Sequence, residues 1–170
     1  VQMGNHGTTT FLGDELIASD FADNSTFDND EGEWDAYDPT SGSVATTAEF
    51  SSNKLVVTCS TDNHAEGAQL PVAHVGDGTD TSIVAGRTYR ISMKLRDTNT
   101  SSPIVYYGLG GTNSAGNSVA TSETTYTRDV VCANATGNLL AFTSSGTAHT
   151  FSIDDVSVKE VGVASGWTTA

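Results

Sequence analysis

Positive charge is scarce in this sequence. Seven Lys and Arg stand against 21 Asp and Glu among 170 residues, a formal net charge of −14. A field of that sign repels the phosphate backbone of nucleic acids and anionic membrane surfaces, which excludes both as partners. It is compatible with divalent cations, neutral sugars or a basic protein surface, and equally with plain solubility. Long apolar runs are missing too. No stretch approaches the roughly 20 residues of a membrane-spanning helix, and nothing at the start reads as a secretory signal. Strong helix formers rarely occur in runs. Cysteine occurs twice, as Cys59 in LVVTCS and Cys132 in RDVVCAN. If those strands are neighbours the two form one disulfide; otherwise they are two buried thiols.

The short motifs of catalysis are absent as well. There is no GxSxG elbow, no Walker loop and no CxxC pair. GLGG at 108–111 follows a strand, but no helix bearing a phosphate-binding lysine comes after it. Among 21 acidic residues any chosen carboxylate pair is uninformative as a glycosidase signal. His6, His64, His74 and His149 are scattered without metal-ligand spacing and read as ordinary surface or strand histidines. The chain therefore reads as non-enzymatic.

What the sequence does hold is Thr, Ser, Gly, Asn and Asp, the residues of strands, turns and exposed loops. Strands are predicted at DELIA (14–18), around Trp34 and Tyr37, and at KLVVTCS (54–60). GAQLPVAHV (67–75) is a weaker one, with Pro71 marking an edge or bulge. In TYRISMKLR (88–96) Tyr89, Ile91, Met93 and Leu95 share one face, and Arg90, Ser92, Lys94 and Arg96 the other. That is the period of a half-buried strand. PIVYYGLG (103–110), TTYTRDVVCAN (124–134), NLLAFTS (138–144) and HTFSIDDVSVKEV (149–161) follow, with a loop at 110–118. Short strands with turns at regular spacing predict a two-sheet antiparallel β-sandwich of the jelly-roll type. Its limits are read as 14–161, with arms at 1–13 and 162–170. In FSIDDVSV the apolar parity shifts between Ile153 and Val156, which predicts a β-bulge at Asp154–Asp155 aiming two carboxylates and a carbonyl at one point.

Four blocks then become recognisable in order: ELIASDFADN, AEFSSNKLVVT, GRTYRISMKLRD and FSIDDVSVKEV. Together they resemble the jelly-roll carbohydrate-binding modules that accompany xylanases and related glycanases. The resemblance implies a structural Ca2+ held by the turn after Phe21, Glu49, the carbonyl near Ser52, and Asp154 with Asp155. This chain carries Ala22 where the family usually has a glutamate, so Asp20 or Asp23 would substitute. For a sugar platform the available rings are Trp34, Tyr37, Tyr106 and Tyr107, with Gln69, Asn113 and Asn117 as hydrogen-bonding neighbours. Successive residues of a strand face opposite ways, so one of Tyr106 and Tyr107 points outward. A single Trp in such a sandwich is more often core than platform.

The same ending, followed by GWT, also resembles modules of bacteriophage tail fibres, head fibres and capsid decoration proteins. That resemblance implies a virion surface module, a homotrimer held to other virion subunits, with Trp167 as an anchor and glycans as further contacts. A chain opening VQMGNHG without an initiator Met reads as a piece of a larger polypeptide or a processed product. The alternative is a carbohydrate-binding module of a secreted glycanase, or a bacterial adhesin.

Overall fold

The structure, a computed structural model, describes residues 10–17, 23–39, 47–60, 65–71, 73, 75, 83–144 and 147–162. The described elements are, in chain order, β1 (Phe11–Glu15), α1 (Asp23–Thr26), β2 (Asp35–Tyr37), β3 (Thr47–Phe50), β4 (Leu55–Thr58), β5 (Ala65–Leu70) and β6 (Thr88–Asp97). They continue with β7 (Ile104–Leu109), β8 (Thr112–Asn113), β9 (Asn117–Ser118), β10 (Thr124–Val131), β11 (Leu139–Ser144) and β12 (Thr150–Gly162). Two antiparallel sheets face each other. The first runs β10-β6-β12-β4-β3, with β1 added beside the far half of β12. The second runs β2-β5-β11-β7-β8, with β9 also on β7. This is the predicted jelly-roll sandwich.

The core follows from period-two patterning. Tyr89, Ile91, Met93 and Leu95 of β6 are all fully buried, while Arg90, Ser92 and Lys94 between them are half-buried and Arg96 is exposed on the outer face. Phe151, Ile153, Val156 and Val158 of β12 and Leu55 and Val57 of β4 complete this inner face. The second sheet answers with Val105, Tyr107, Leu109, Leu139, Ala68 and Leu70. Each large side chain withdrawn from water in this way contributes about 1.5–3 kcal/mol.

The bulge lies where the parity shift places it. Asp154 pairs with Lys94 and Ser157 with Ser92, so Asp155 and Val156 together oppose one residue. Asp155 takes a positive φ of 45° there. Three boundaries differ from the sequence reading. β1 starts at Phe11, inside the segment read as an arm, because Phe11 and Leu12 pair with Gly162 and Val161. β5 ends at Leu70, before Pro71. The 110–118 loop carries two short strands that pair with β7. Cys59 and Cys132 are buried free thiols, which closes the disulfide option. Burial, with the Glu66 charge adding to it, pushes the Cys59 thiol up to about 12, so it is no nucleophile near neutral pH.

At one end of the sandwich Asp97 is buried and accepts the backbone N–H groups of Asn99, Ser101 and Ser102. His149 is buried beside this loop, with Nδ1 2.8 Å from Ser101 Oγ. Desolvation lowers its pKa below the usual 6.5, against the opposing pull of Asp97. Above 6.5 the imidazole is neutral folded or unfolded. As pH falls below that, the unfolded chain takes the proton first, so stability declines until the folded value is passed. In urea melts, wild type is expected to lose more stability than His149→Gln between pH 7.5 and pH 5. Parallel profiles would contradict this.

Candidate binding platform

The outer face of the second sheet carries a transverse row of rings. In register across four strands lie Tyr37 of β2, Gly67 of β5, Phe142 of β11 and Tyr106 of β7. Tyr37 and Phe142 have ring centroids 5.8 Å apart at 57°, and Phe142 and Tyr106 stack at 5.6 Å and 23°. Tyr37 and Phe142 meet although a strand separates theirs, and the residue between them in register is Gly67, whose backbone lies close against β11. A Cβ on Gly67 would stand 2.1 Å from the Ala141 carbonyl oxygen. Gly116 does the same on the other side: a Cβ there would lie 3.0 Å from Tyr106 Cε1. Tyr106 is thus wedged between a ring and a backbone. Phe142 is 6% exposed and forms the floor; the two tyrosines are half-buried and flank it.

A second row runs alongside, one pleat on. Asp35, Gln69, Leu140, Gly108 and Asn113 are in register across β2, β5, β11, β7 and β8. Gln69 accepts a hydrogen bond from Asn138 Nδ2 at 3.0 Å. Asn113 Oδ1 leans over Gly108, at 2.8 Å from where a Cβ would be. The face therefore offers aromatic surface bordered by amides and one carboxylate. This suits a ligand with apolar C–H faces and a rim of hydroxyls.

Two of the four available rings belong to the core. Trp34 is 2% exposed and packs against Phe27 at 6.2 Å, so it presents no face to solvent. Tyr107 points inward; its hydroxyl donates to the Tyr126 carbonyl, and burial pushes its pKa well up. Asn117 also leaves the rim: it is buried opposite Val105 on the inner side. Tyr37, Tyr106, Gln69 and Asn113 are brought together. Phe142, Leu140 and Asn138 escaped the sequence reading.

The two carboxylates at the bulge each meet a lysine. Asp154 lies 2.7 Å from the Lys54 ammonium and Asp155 2.6 Å from that of Lys94. Glu49 is exposed on β3, and Ser52 sits in a left-handed turn at φ 57°. Asp20 and the Asp23 side chain lie outside the described residues. No group of three or more His, Cys, Asp or Glu suited to a metal ion forms among the described residues. Among the described residues, the two bulge carboxylates of the expected Ca2+ set are engaged by lysines. Protein groups join the first and last strands. Glu15 accepts hydrogen bonds from the N–H of Val158 at 2.7 Å and from Ser157 Oγ, and Ser25 Oγ donates to the Val156 carbonyl at 2.7 Å.

A two-sheet sandwich with an open aromatic face on one sheet is a recurrent binding scaffold. No family model and no curated protein sequence matches the chain. Solved structures do. The CBM22-1 xylan-binding domain from Paenibacillus barcinonensis Xyn10C aligns at TM-score 0.60 and 15% identity, over 92% of this chain and all of that one. CBM29_1 from Piromyces equi aligns at TM-score 0.53 and 10% identity, over 94% and 95%. The N-terminal cellulose-binding domain of Cellulomonas fimi β-1,4-glucanase C aligns at 0.51 and 18%, over 82% and 95%. At these identities the likeness establishes the β-sandwich fold, shared with carbohydrate-binding modules.

Proposed function

We propose that this chain is a non-catalytic glycan-binding module whose ligand lies across the second sheet on Tyr37, Phe142 and Tyr106. The observation that carries the reading is the in-register ring row, with its centroids 5.8 and 5.6 Å apart, on an outward sheet face. Pyranose C–H faces pack on such rings by dispersion and water release. Gln69, Asn138 and Asn113 supply donors and acceptors for hydroxyls. The rings are held by strands and by one another, so little side-chain freedom is lost on binding.

The structural likenesses favour this reading over the virion-surface role and reverse the order of preference drawn from sequence. Neither the ring row nor those likenesses argues for a homotrimer or for virion subunits as partners. Affinity electrophoresis through gels containing neutral polysaccharides is the test. Retardation by xylan or a soluble β-glucan is expected. Unchanged mobility across a panel of neutral polysaccharides would overturn the reading.

A further inference from the structure

We propose that the platform discriminates by charge, holding neutral glycan chains and rejecting those that carry uronate, carboxymethyl or sulfate groups. This rests on the glycan-binding reading and adds to it a rule of selectivity.

The inference comes from where the few cations are. No Lys or Arg precedes Lys54. All seven lie on the first sheet or in the turns entering its strands: Lys54 before β4, Arg87 before β6, Arg90, Lys94 and Arg96 on β6, Arg128 on β10 and Lys159 on β12. Five of them contact acids on or beside that sheet, Lys159 reaching Glu15 at 4.0 Å, while Arg96 and Arg128 donate to the carbonyls of Thr121 and Gly116. Lys54 contacts Asp154 and Glu123, Lys94 contacts Asp155, Arg90 forks onto Asp129 and Arg87 onto Glu160. The first sheet with its adjoining turns is close to balanced, and most of the net charge of −14 lies elsewhere.

Much of it lies in the segment that leads into β2. Between Asp28 and Asp38 come Asp30, Glu31, Glu33 and Asp35, six carboxylates in eleven residues with no cation among them. All six are exposed or half-buried. They lead into and through β2, the strand that carries Tyr37. Asp35 lies on the same face as Tyr37, in the amide row beside it. A polyanion approaching the rings therefore meets like charge on the platform at Asp35 and in the segment entering its edge strand β2. The repulsion acts over a Debye length of about 8 Å at physiological salt and fades as salt rises.

The test uses neutral and anionic polymers that share a backbone: hydroxyethylcellulose with carboxymethylcellulose, and arabinoxylan with glucuronoxylan. Binding to each is measured by calorimetry at about 20 mM and about 500 mM NaCl, concentrations that bracket the physiological Debye length. The neutral member of a pair is expected to bind, with its anionic partner at least about tenfold weaker at low salt. The gap should narrow at high salt, and narrow at low salt in an Asp30→Asn/Glu31→Gln/Glu33→Gln variant that still binds the neutral polymer. Equal binding of both members at low salt, or a gap that neither salt nor the variant moves, overturns the charge rule and leaves the platform standing. Failure of every neutral polymer to bind sinks the platform itself.

Discussion

Replacing Tyr106 with alanine is expected to weaken neutral-glycan binding about 10- to 30-fold, or ~1.4–2 kcal/mol, while the protein stays folded. Tyr106 contributes one flank of the ring row and stacks on Phe142 at 5.6 Å. Truncation removes an exposed aromatic face and leaves Phe142 as an uncovered floor. The loss of one stacked pair should cost stability only about 0.5–1.5 kcal/mol beyond the area uncovered. Tyr106→Phe should keep most of the affinity, since the ring remains. The adjacent residue provides the internal control. Tyr107 is fully buried, so Tyr107→Ala should destabilise the fold by several kcal/mol, about 3–5 by analogy with other buried aromatics. Titration of both variants, with urea melts alongside, separates the roles. Wild-type affinity in Tyr106→Ala would remove this ring from the site.

Trp34→Ala is expected to cost about 3–5 kcal/mol of folding stability. For a domain holding about 5–15 kcal/mol in all, that is a large share. The ring is 2% exposed and tilted at 60° against Phe27, so its removal opens a cavity between loop and core. Trp34→Phe refills part of that space and should recover much of the loss while binding glycan like wild type. If Trp34 were instead a platform residue, Trp34→Ala would melt normally and fail to bind. Urea denaturation and calorimetric titration on the same preparations distinguish the two.

The difference between Trp34 and Tyr106 marks the limit of what is legible in sequence. In β6 polar residues alternate with apolar ones, so the inner face could be read directly from Tyr89, Ile91, Met93 and Leu95. The bulge was equally plain, because apolar parity changes between Ile153 and Val156. In β7 and β11 both parities are apolar or small: Val105 and Tyr106, Ala141 and Phe142 follow one another directly. No polar alternation marks the outside, so the sequence could say only that one of Tyr106 and Tyr107 faces out. Phe142 was hidden for the same reason. The row itself depends on cross-strand register among residues far apart in the chain, including Gly67, which stands between Tyr37 and Phe142 in the pairing. Register also decides the partners at the bulge. Asp154 and Asp155 are adjacent, but the first meets Lys54, just before β4, and the second Lys94 of β6.

The most direct measurement is a 15N-HSQC titration with a neutral oligosaccharide. Shifts are expected to concentrate on the outer face of the second sheet, at Gly67, Gln69, Tyr106, Gly108, Asn113 and Phe142. The outer face of β6 and β12 should stay silent. Perturbations clustered on the first sheet, or none at saturating sugar, would contradict a ligand lying on the ring row.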